Sequence, residues 1–398
     1  MKITVSAEDE AFRDEVRRFL DENLTDELRE AGRKKTSVWQ EPESAAAWQA
    51  LLYEKGWLVP DWPVEYGGTD WSLQQRYIFA QECARAETPG ISPMGLRMCG
   101  PMLIGYGTDE QKAYYLPRML SGEHIWCQGY SEPGAGSDLA SLKTAAVPDG
   151  DDYVVNGTKI WTSFAQHANM IFALVRTSTE GRVQQGISFL LIDMATPGIT
   201  VKPIINLEGS HELNQVFFDN VRVPKTNRVG NENEGWTVAK YLLQFERFSM
   251  SSVELRRQLA RVERLAAATP TGNGLLADDR HFRQRVADLE IRCEAMEIAE
   301  QRVLAELDAG KTPGTVSSVL NAVSSETLQA AEEFGIEVAA YHGLPFQLPA
   351  MDVGGPDPIG SELTLPMMPT FLNNRMRTIA GGSAEVQRNI VSKAILGL

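Results

Sequence analysis

Apolar positions recur at helical spacing over the first third of the chain. In "EDEAFRDEVRRFLDENL", Phe12, Val16, Phe19 and Leu20 fall at i, i+4, i+7 and i+8, which predicts an amphipathic helix with one buried face. "TDEQKAYYLPRMLSGE" predicts another helix, opened by the capping residue Thr108 and closed at Gly122. Between them the Pro/Gly-punctuated "VPDWPVEYGGTDW" reads as a loop. From about Ile125 to Pro224 the period changes. "DYVVNGTKIW", "MIFALVRT", "GISFLLIDM", "GITVKPI" and "NQVFFDNVRVP" read as strands, and Asn156-Gly157 predicts a two-residue hairpin turn. From Gly235 onward helical spacing returns. Phe282, Val286, Leu289, Cys293, Met296 and Val303 advance by three- and four-residue steps toward a stop at Gly310. "GWTVAKYLLQFERFSMSSVELRRQL" reads as one helix with Ala239, Leu242, Leu243, Met250 and Val253 on a single stripe. "LPFQLPAMDVGGPDPIGSELTLPMMP" is a long loop of the functional or mobile kind.

These patterns predict an α+β fold. An N-terminal α-helical domain covers 1–124, a middle β domain of antiparallel barrel or sandwich type covers 125–233, and a C-terminal helical bundle covers 234–398.

Composition narrows the function. The formal net charge is −15 over 398 residues, which excludes a nucleic-acid binder, because phosphate neutralisation needs a basic surface. Hydrophobic residues make up 43% of the chain, enough for a sizeable core. The four cysteines, Cys83, Cys99, Cys127 and Cys293, form no CxxC pair and the five histidines no HxxxH pair, so neither a disulfide framework nor a metal site is expected. "MKITVSAEDE" lacks an apolar signal core and no run of 18 apolar residues occurs, so the expectation is a soluble, cytoplasmic protein without membrane insertion.

"WCQGYSEPGAGSDLASLKT", from Trp126 to Thr144, is rich in glycine and small hydroxyl residues, which let a backbone approach a ligand and offer it N–H donors. It is not a dinucleotide fingerprint, since the third glycine of GxGxxG is absent and no βαβ unit surrounds it; alone, it reads as a Gly/Pro turn before it reads as a ligand loop. "SEPGAGSD", then "NGTKIWTS", then "GGSAEVQRNI" near the C-terminus, in this order and spacing, resemble the acyl-CoA dehydrogenase family along almost the whole chain. The resemblance is nearest to pimeloyl-CoA dehydrogenase large subunits and to two-chain steroid side-chain acyl-CoA dehydrogenases.

The resemblance implies FAD as cofactor. It implies that Gln128, Tyr130 and Ser131 line the flavin, that Trp161 packs against it, and that Ser163 stands near its N5. Ser383 and Glu385 fall where the C-terminal motif meets the cofactor, and Ser137 where the CoA portion of the substrate passes. Read by itself, Trp161 is a core tryptophan on a hairpin. The implied reaction is α,β-dehydrogenation of an acyl-CoA, which requires a base. Many family members carry a glutamate where this chain has Gly381. On the apolar stripe of "GWTVAKYLLQFERFSM", Glu246 stands at i+7 from Ala239. Periodicity leaves open whether it is buried with a raised pKa or pairs with Arg247. One branch of the family carries its base on this helix just before an arginine, so Glu246 is the expected base and Arg247 the neighbour that orients it.

Family homo-oligomers carry an "RxxFG" stretch and a later "GGxG" segment that complete a neighbour's FAD site. "TPTGNGLLADDRHF" and "AAYHGLPFQLP" match neither. The resemblance therefore implies a second acyl-CoA dehydrogenase-like small subunit that completes the FAD site, and electron-transferring flavoprotein as acceptor. The expected substrate is a dicarboxylyl-, steroid or other bulky acyl-CoA. The alternatives are a non-catalytic partner chain and an acyl-CoA oxidase that uses oxygen.

Overall fold

The computed structural model describes residues 6–36, 42–247, 250–308 and 315–398; side chains at 244–247 and 307–308 lie outside the description. In chain order the main helices of the N-terminal part are α1 (Ala7–Asn23), α2 (Asp26–Lys34), α3 (Pro42–Lys55), α4 (Leu73–Arg85), α5 (Gly100–Tyr106) and α6 (Asp109–Leu120). The strands are β1 (Trp126–Gly129), β2 (Ala145–Asp149), β3 (Asp152–Lys159), β4 (Met170–Arg176), β5 (Ile187–Asp193), β6 (Ile199–Ile204), β7 (Leu213–Pro224) and β8 (Arg228–Val229). The C-terminal helices are α7 (Gly235–Arg247), α8 (Ser251–Ala268), α9 (Arg280–Asp308), α10 (Val316–Ala339), the one-turn α11 (Leu348–Met351), α12 (Met367–Asn373) and α13 (Ala384–Val391). Helical N- and C-terminal parts with a sheet between them in chain order are the α+β architecture that the patterning predicts. The chain condenses into two compact units, one drawn from 1–44, 70–90 and 247–398, the other from 45–69 and 91–246.

In the first unit, the stripe Phe12, Val16, Phe19 and Leu20 of α1 is buried as its spacing predicts. The α9 stripe Phe282, Val286, Leu289, Cys293 and Met296 packs in one core with Leu255, Leu259 and Val262 of α8 and with Leu328 and Phe334 of α10. Each fully buried Phe or Leu contributes about 1.5–3 kcal/mol. The stop predicted at Gly310 lies outside the described residues.

In the second unit, the sheet runs β6-β7-β3-β2-β4-β5-β8, with β1 parallel to β4 and most other neighbours antiparallel. β4 alternates perfectly between two cores. Phe172 and Leu174 face a cluster with Met102, Leu116 and Met119 of α5 and α6; Ile171, Ala173 and Val175 face one with Val155, Val216 and Phe218. Both faces are covered, which is why the strand reads as an uninterrupted apolar run. Thr108 caps α6 in a reciprocal box with Gln111, as its sequence predicts.

Two expectations are corrected. The hairpin turn is at Gly150-Asp151, joining the pair Asp149↔Asp152, and β3 runs straight through Asn156-Gly157. Gly157 instead sits at a bulge between β3 and β7, where a Cβ would lie 2.5 Å from Thr144 Oγ1, so this glycine serves close strand approach. The helix expected across 235–259 is two helices. Met250, at φ −77 and ψ 68, is not helical and stands as the N-cap of α8. Ala239 and Leu242 enter the core of the second unit, whereas Met250 and Val253 pack with Tyr77 and Leu304 in the first.

Candidate functional site

β1 leads directly from Gln128 to Tyr130, Ser131 and the turn that follows. The Tyr130 ring is buried, edge-on to Phe172 and Phe189 with centroids 5.9 and 6.3 Å away. The turn closes by reciprocal main-chain hydrogen bonds between Glu132 and Ala135, each 3.0 Å, and leaves Ser137 exposed. Beneath it lies a buried ion pair. Lys159 Nζ on β3 donates to Glu132 Oε1 at 2.8 Å and to the Tyr130 carbonyl at 3.1 Å, while the Lys143 and Thr144 amides donate to the same carboxylate at 2.7 and 2.9 Å. Burial pushes the Glu132 carboxyl up, but Lys159 and the N–H donors outweigh it and hold it below its ordinary value. Burial brings the Lys159 ammonium down to about 8 against the attraction of Glu132. A cavity of about 480 Å³ beside this turn is lined by Glu132, Gly134, Ser141, Lys143, Thr144 and Thr158, among others.

The segment after β3 meets this turn through one hydrogen bond, Ile160 N–H to the Ser131 carbonyl at 2.9 Å. It fastens the backbone just before Trp161 to the backbone at Ser131. Trp161 is 56% exposed and sits in the left-handed region at φ +60, as does Phe164 at φ +54. Two left-handed non-glycine residues within four positions are a strained arrangement of the kind that clusters at ligand sites. Trp161 is thus not a core residue. Two polar atoms, Gln128 Nε2 on β1 and Thr162 Oγ1 next to Trp161, are buried with no hydrogen-bond partner among the described residues. Native proteins rarely leave such donors without a ligand or water, and an exposed tryptophan with an unpartnered hydroxyl next to it in sequence and a buried amide donor on the β1 segment fit a flavin ring.

In the C-terminal motif, Ser383 is the N-cap of α13 and its Oγ accepts the Val386 amide; Glu385 is exposed in the first turn. Gly381 has φ +66 and Gly382 φ +94. An L-residue in this conformation costs roughly 1–2 kcal/mol, so the backbone at 381 disfavours a glutamate there. The fully buried Gln387 donates to the Gly382 carbonyl at 3.2 Å and holds the turn. Glu246 and Arg247 lie on the helical backbone of α7, and their side chains lie outside the described residues.

Residues that the sequence did not single out are Glu132, Lys159, Asn214, Gln387 and the buried Glu332. Glu332 accepts from Asn374 at 2.5 Å and Arg375 at 3.2 Å and so fixes the turn before Arg377. For Lys159 the signal was its inward register on β3 within "NGTKIW"; for the others, no local pattern marks burial. Among the described residues no helix is long and apolar enough to cross a membrane.

The chain matches the acyl-CoA dehydrogenase N-terminal domain over residues 6–123, the middle domain over 127–221 and the C-terminal domain over 233–396. It is 36% identical over 403 residues to acyl-CoA dehydrogenase IpdE1 of Mycobacterium tuberculosis, covering 98% of this chain and 97% of that one. It is similar to the crystal structure of the ChsE4-ChsE5 complex from Mycobacterium tuberculosis, with a TM-score of 0.82, 31% identity and coverage of 100% of this chain and 99% of the other. The Tcur3481-Tcur3483 steroid ACAD is similar with a TM-score of 0.86 at 28% identity, covering 100% of this chain and 99% of the other. Three consecutive domain matches and a relative of this identity over nearly the full length show that the chain belongs to the acyl-CoA dehydrogenase family, flavoprotein oxidoreductases that act on acyl-CoA in lipid β-oxidation.

Proposed function

We propose that this chain catalyses FAD-dependent α,β-dehydrogenation of a bulky or dicarboxylyl acyl-CoA. It acts as the catalytic large subunit beside a second, acyl-CoA dehydrogenase-like small subunit. FAD, when bound, supplies the hydride acceptor for the β carbon. Gln128, the main chain of Tyr130, Ser131, Trp161 and Ser163 hold the flavin, with Ser383 and Glu385 contributing from the C-terminal motif. Ser137 contacts the CoA portion. Glu246 takes the α proton at its carboxylate and Arg247 keeps it oriented. The domain division at 124 and 233 belongs to the same reading, as does electron-transferring flavoprotein as acceptor.

The observation that carries the reading is the loop at Trp161. An exposed tryptophan in a left-handed conformation follows Ile160, whose amide is fastened to Ser131, while Gln128 keeps a buried donor without a protein acceptor among the described residues. Gly381 supports a base elsewhere than in the C-terminal motif, because its φ of +66 favours glycine over a residue with a side chain. The steroid ACAD and the two-chain complex among the similar structures support the substrate class and the second subunit.

The test is an anaerobic titration of the flavin-loaded assembly with butyryl-, octanoyl-, pimeloyl- and steroid-side-chain-CoA, followed by admission of air. Bleaching of the flavin by the larger or dicarboxylyl thioesters with slow reoxidation is expected. Bleaching with fast reoxidation identifies an oxidase. No bleaching by any thioester identifies a non-catalytic chain.

A further inference from the structure

Asn214, near the start of β7, is fully buried, and nothing in the catalytic reading uses it. Its side-chain Nδ2 donates to the Thr162 carbonyl at 3.1 Å and to Gln166 Oε1 at 2.6 Å. Its main-chain carbonyl accepts the Thr162 amide at 3.0 Å. Its Oδ1 faces His211 Nε2 at 2.7 Å. The orientation of the amide is fixed by chemistry: the Thr162 carbonyl can only accept, so the atom facing it is the NH₂ group, Oδ1 is left for the histidine, and His211 carries its proton on Nε2. Two further bonds join the same segments. The Phe164 amide donates to the Glu212 carbonyl at 2.7 Å, and Gln166 Nε2 donates to the His211 carbonyl at 2.7 Å.

These bonds bracket the strained residues. Trp161 is fastened on its N-terminal side by Ile160 to Ser131 and on its C-terminal side by both main-chain polar groups of Thr162 to Asn214. Phe164, the second left-handed residue, is fastened to Glu212. A backbone in a sparsely populated conformation persists only where its surroundings over-determine it. A segment rich in side-chain hydrogen bonds and free of helix or ladder would otherwise relax to the extended region, turning the indole away.

We propose that Asn214, oriented by His211 and joined to Gln166, is a positioning residue that holds Trp161 in its left-handed, outward conformation and so presets the aromatic wall of the flavin site. The inference rests on the flavin reading for its functional consequence, but the clamp itself is a property of this chain without cofactor.

The test has two arms. In the full chain without added FAD, amide hydrogen exchange is compared between parent and Asn214→Ala. The Thr162 and Phe164 amides should exchange about tenfold or more faster, the scale of one or two lost hydrogen bonds, while β4 and β5 amides keep their protection. Gln166→Leu, which removes a partly buried partner, should give the same local pattern if Asn214→Ala does not fold. His211→Gln keeps an N–H donor for Oδ1 and should restore parental exchange where His211→Leu does not. Unchanged exchange at 162 and 164, or a uniform rise across the whole sheet, overturns the proposal. In the flavin-loaded assembly, Asn214→Ala should lower FAD affinity about tenfold or more and shift the flavin absorption band, with parental values in His211→Gln. An affected exchange pattern with unaltered FAD affinity and spectrum overturns the flavin-positioning role. Absence of FAD binding by the parent assembly refutes the cofactor reading instead, and leaves the exchange arm readable.

Discussion

Lys159→Met removes the cation of the buried pair beneath the Ser131 turn while keeping much of the aliphatic stem. Lys159 is fully buried and gives up two bonds, to Glu132 at 2.8 Å and to the Tyr130 carbonyl at 3.1 Å. Removing one member of a buried ion pair costs about 3–5 kcal/mol, chiefly because the remaining charge is stranded. Glu132 keeps the Lys143 and Thr144 amides at 2.7 and 2.9 Å, which places the expected loss near the lower end, about 3 kcal/mol. Replacing both residues, Lys159→Met with Glu132→Gln, removes the stranded charge. One amide keeps an acceptor oxygen and the other meets an NH₂ group, so the double variant should lose only about 1–3 kcal/mol. The assay is urea unfolding of the full chain at pH 7, followed by far-UV circular dichroism and tryptophan fluorescence. A Lys159→Met variant as stable as the parent, or a double variant whose loss equals the sum of both single losses, would refute the reasoning, because it would show that the two groups do not depend on each other.

Three other outcomes are expected. Glu300 is fully buried, accepts the Ser252 amide at 3.0 Å and the Ser252 hydroxyl, and Ser252 Oγ in turn lies 3.0 Å from the Tyr77 hydroxyl; burial raises its pKa from 4.5 to about 7. The folded state therefore binds the extra proton between these values, so its contribution is fully present below pH 4.5 and is lost as pH rises through 7; Glu300→Gln should flatten about 3 kcal/mol of that fall in urea titrations from pH 5 to 8, and an unchanged slope would contradict this. Ser131→Ala and Ser163→Ala should each shift the flavin spectrum and weaken FAD binding by about 0.5–1.5 kcal/mol, measured by equilibrium titration, with parental values in both counting against the assigned contacts. Expressed alone, the chain should hold FAD poorly, since half of the cofactor site is proposed to come from the second subunit; a fully flavinated, active homo-oligomer would defeat the two-chain proposal.

The helices were largely legible because their burial follows local spacing. Phe12, Val16, Phe19 and Leu20 are buried as a stripe, and Thr108 caps where its sequence context places it. The strand zone was legible too, though not its turns. Asn156-Gly157 has the composition of a hairpin turn, but the space beside Thr144 required a glycine inside a strand, and Gly150 took the turn. Periodicity also carried the stripe past Arg247 into α8, because a helix break at Met250 leaves no proline or glycine to mark it. The motif residues proposed for the site are assigned only through family resemblance. Their supports were not legible: Asn214, Glu132 with Lys159, and Gln387 act through partners up to 52 positions away, and no local pattern encodes such pairings.

Removal of the α proton of an acyl-CoA by Glu246, as the flavin is reduced, is decided by anaerobic stopped-flow absorbance. The flavin-loaded assembly carrying Glu246→Gln is mixed with a thioester that bleaches the parent. Glutamine keeps the size of the side chain and removes its basicity. Retained FAD and a bleaching rate about 10²–10⁴-fold below the parent are expected. A variant that retains FAD and bleaches at the parental rate would contradict this role of Glu246.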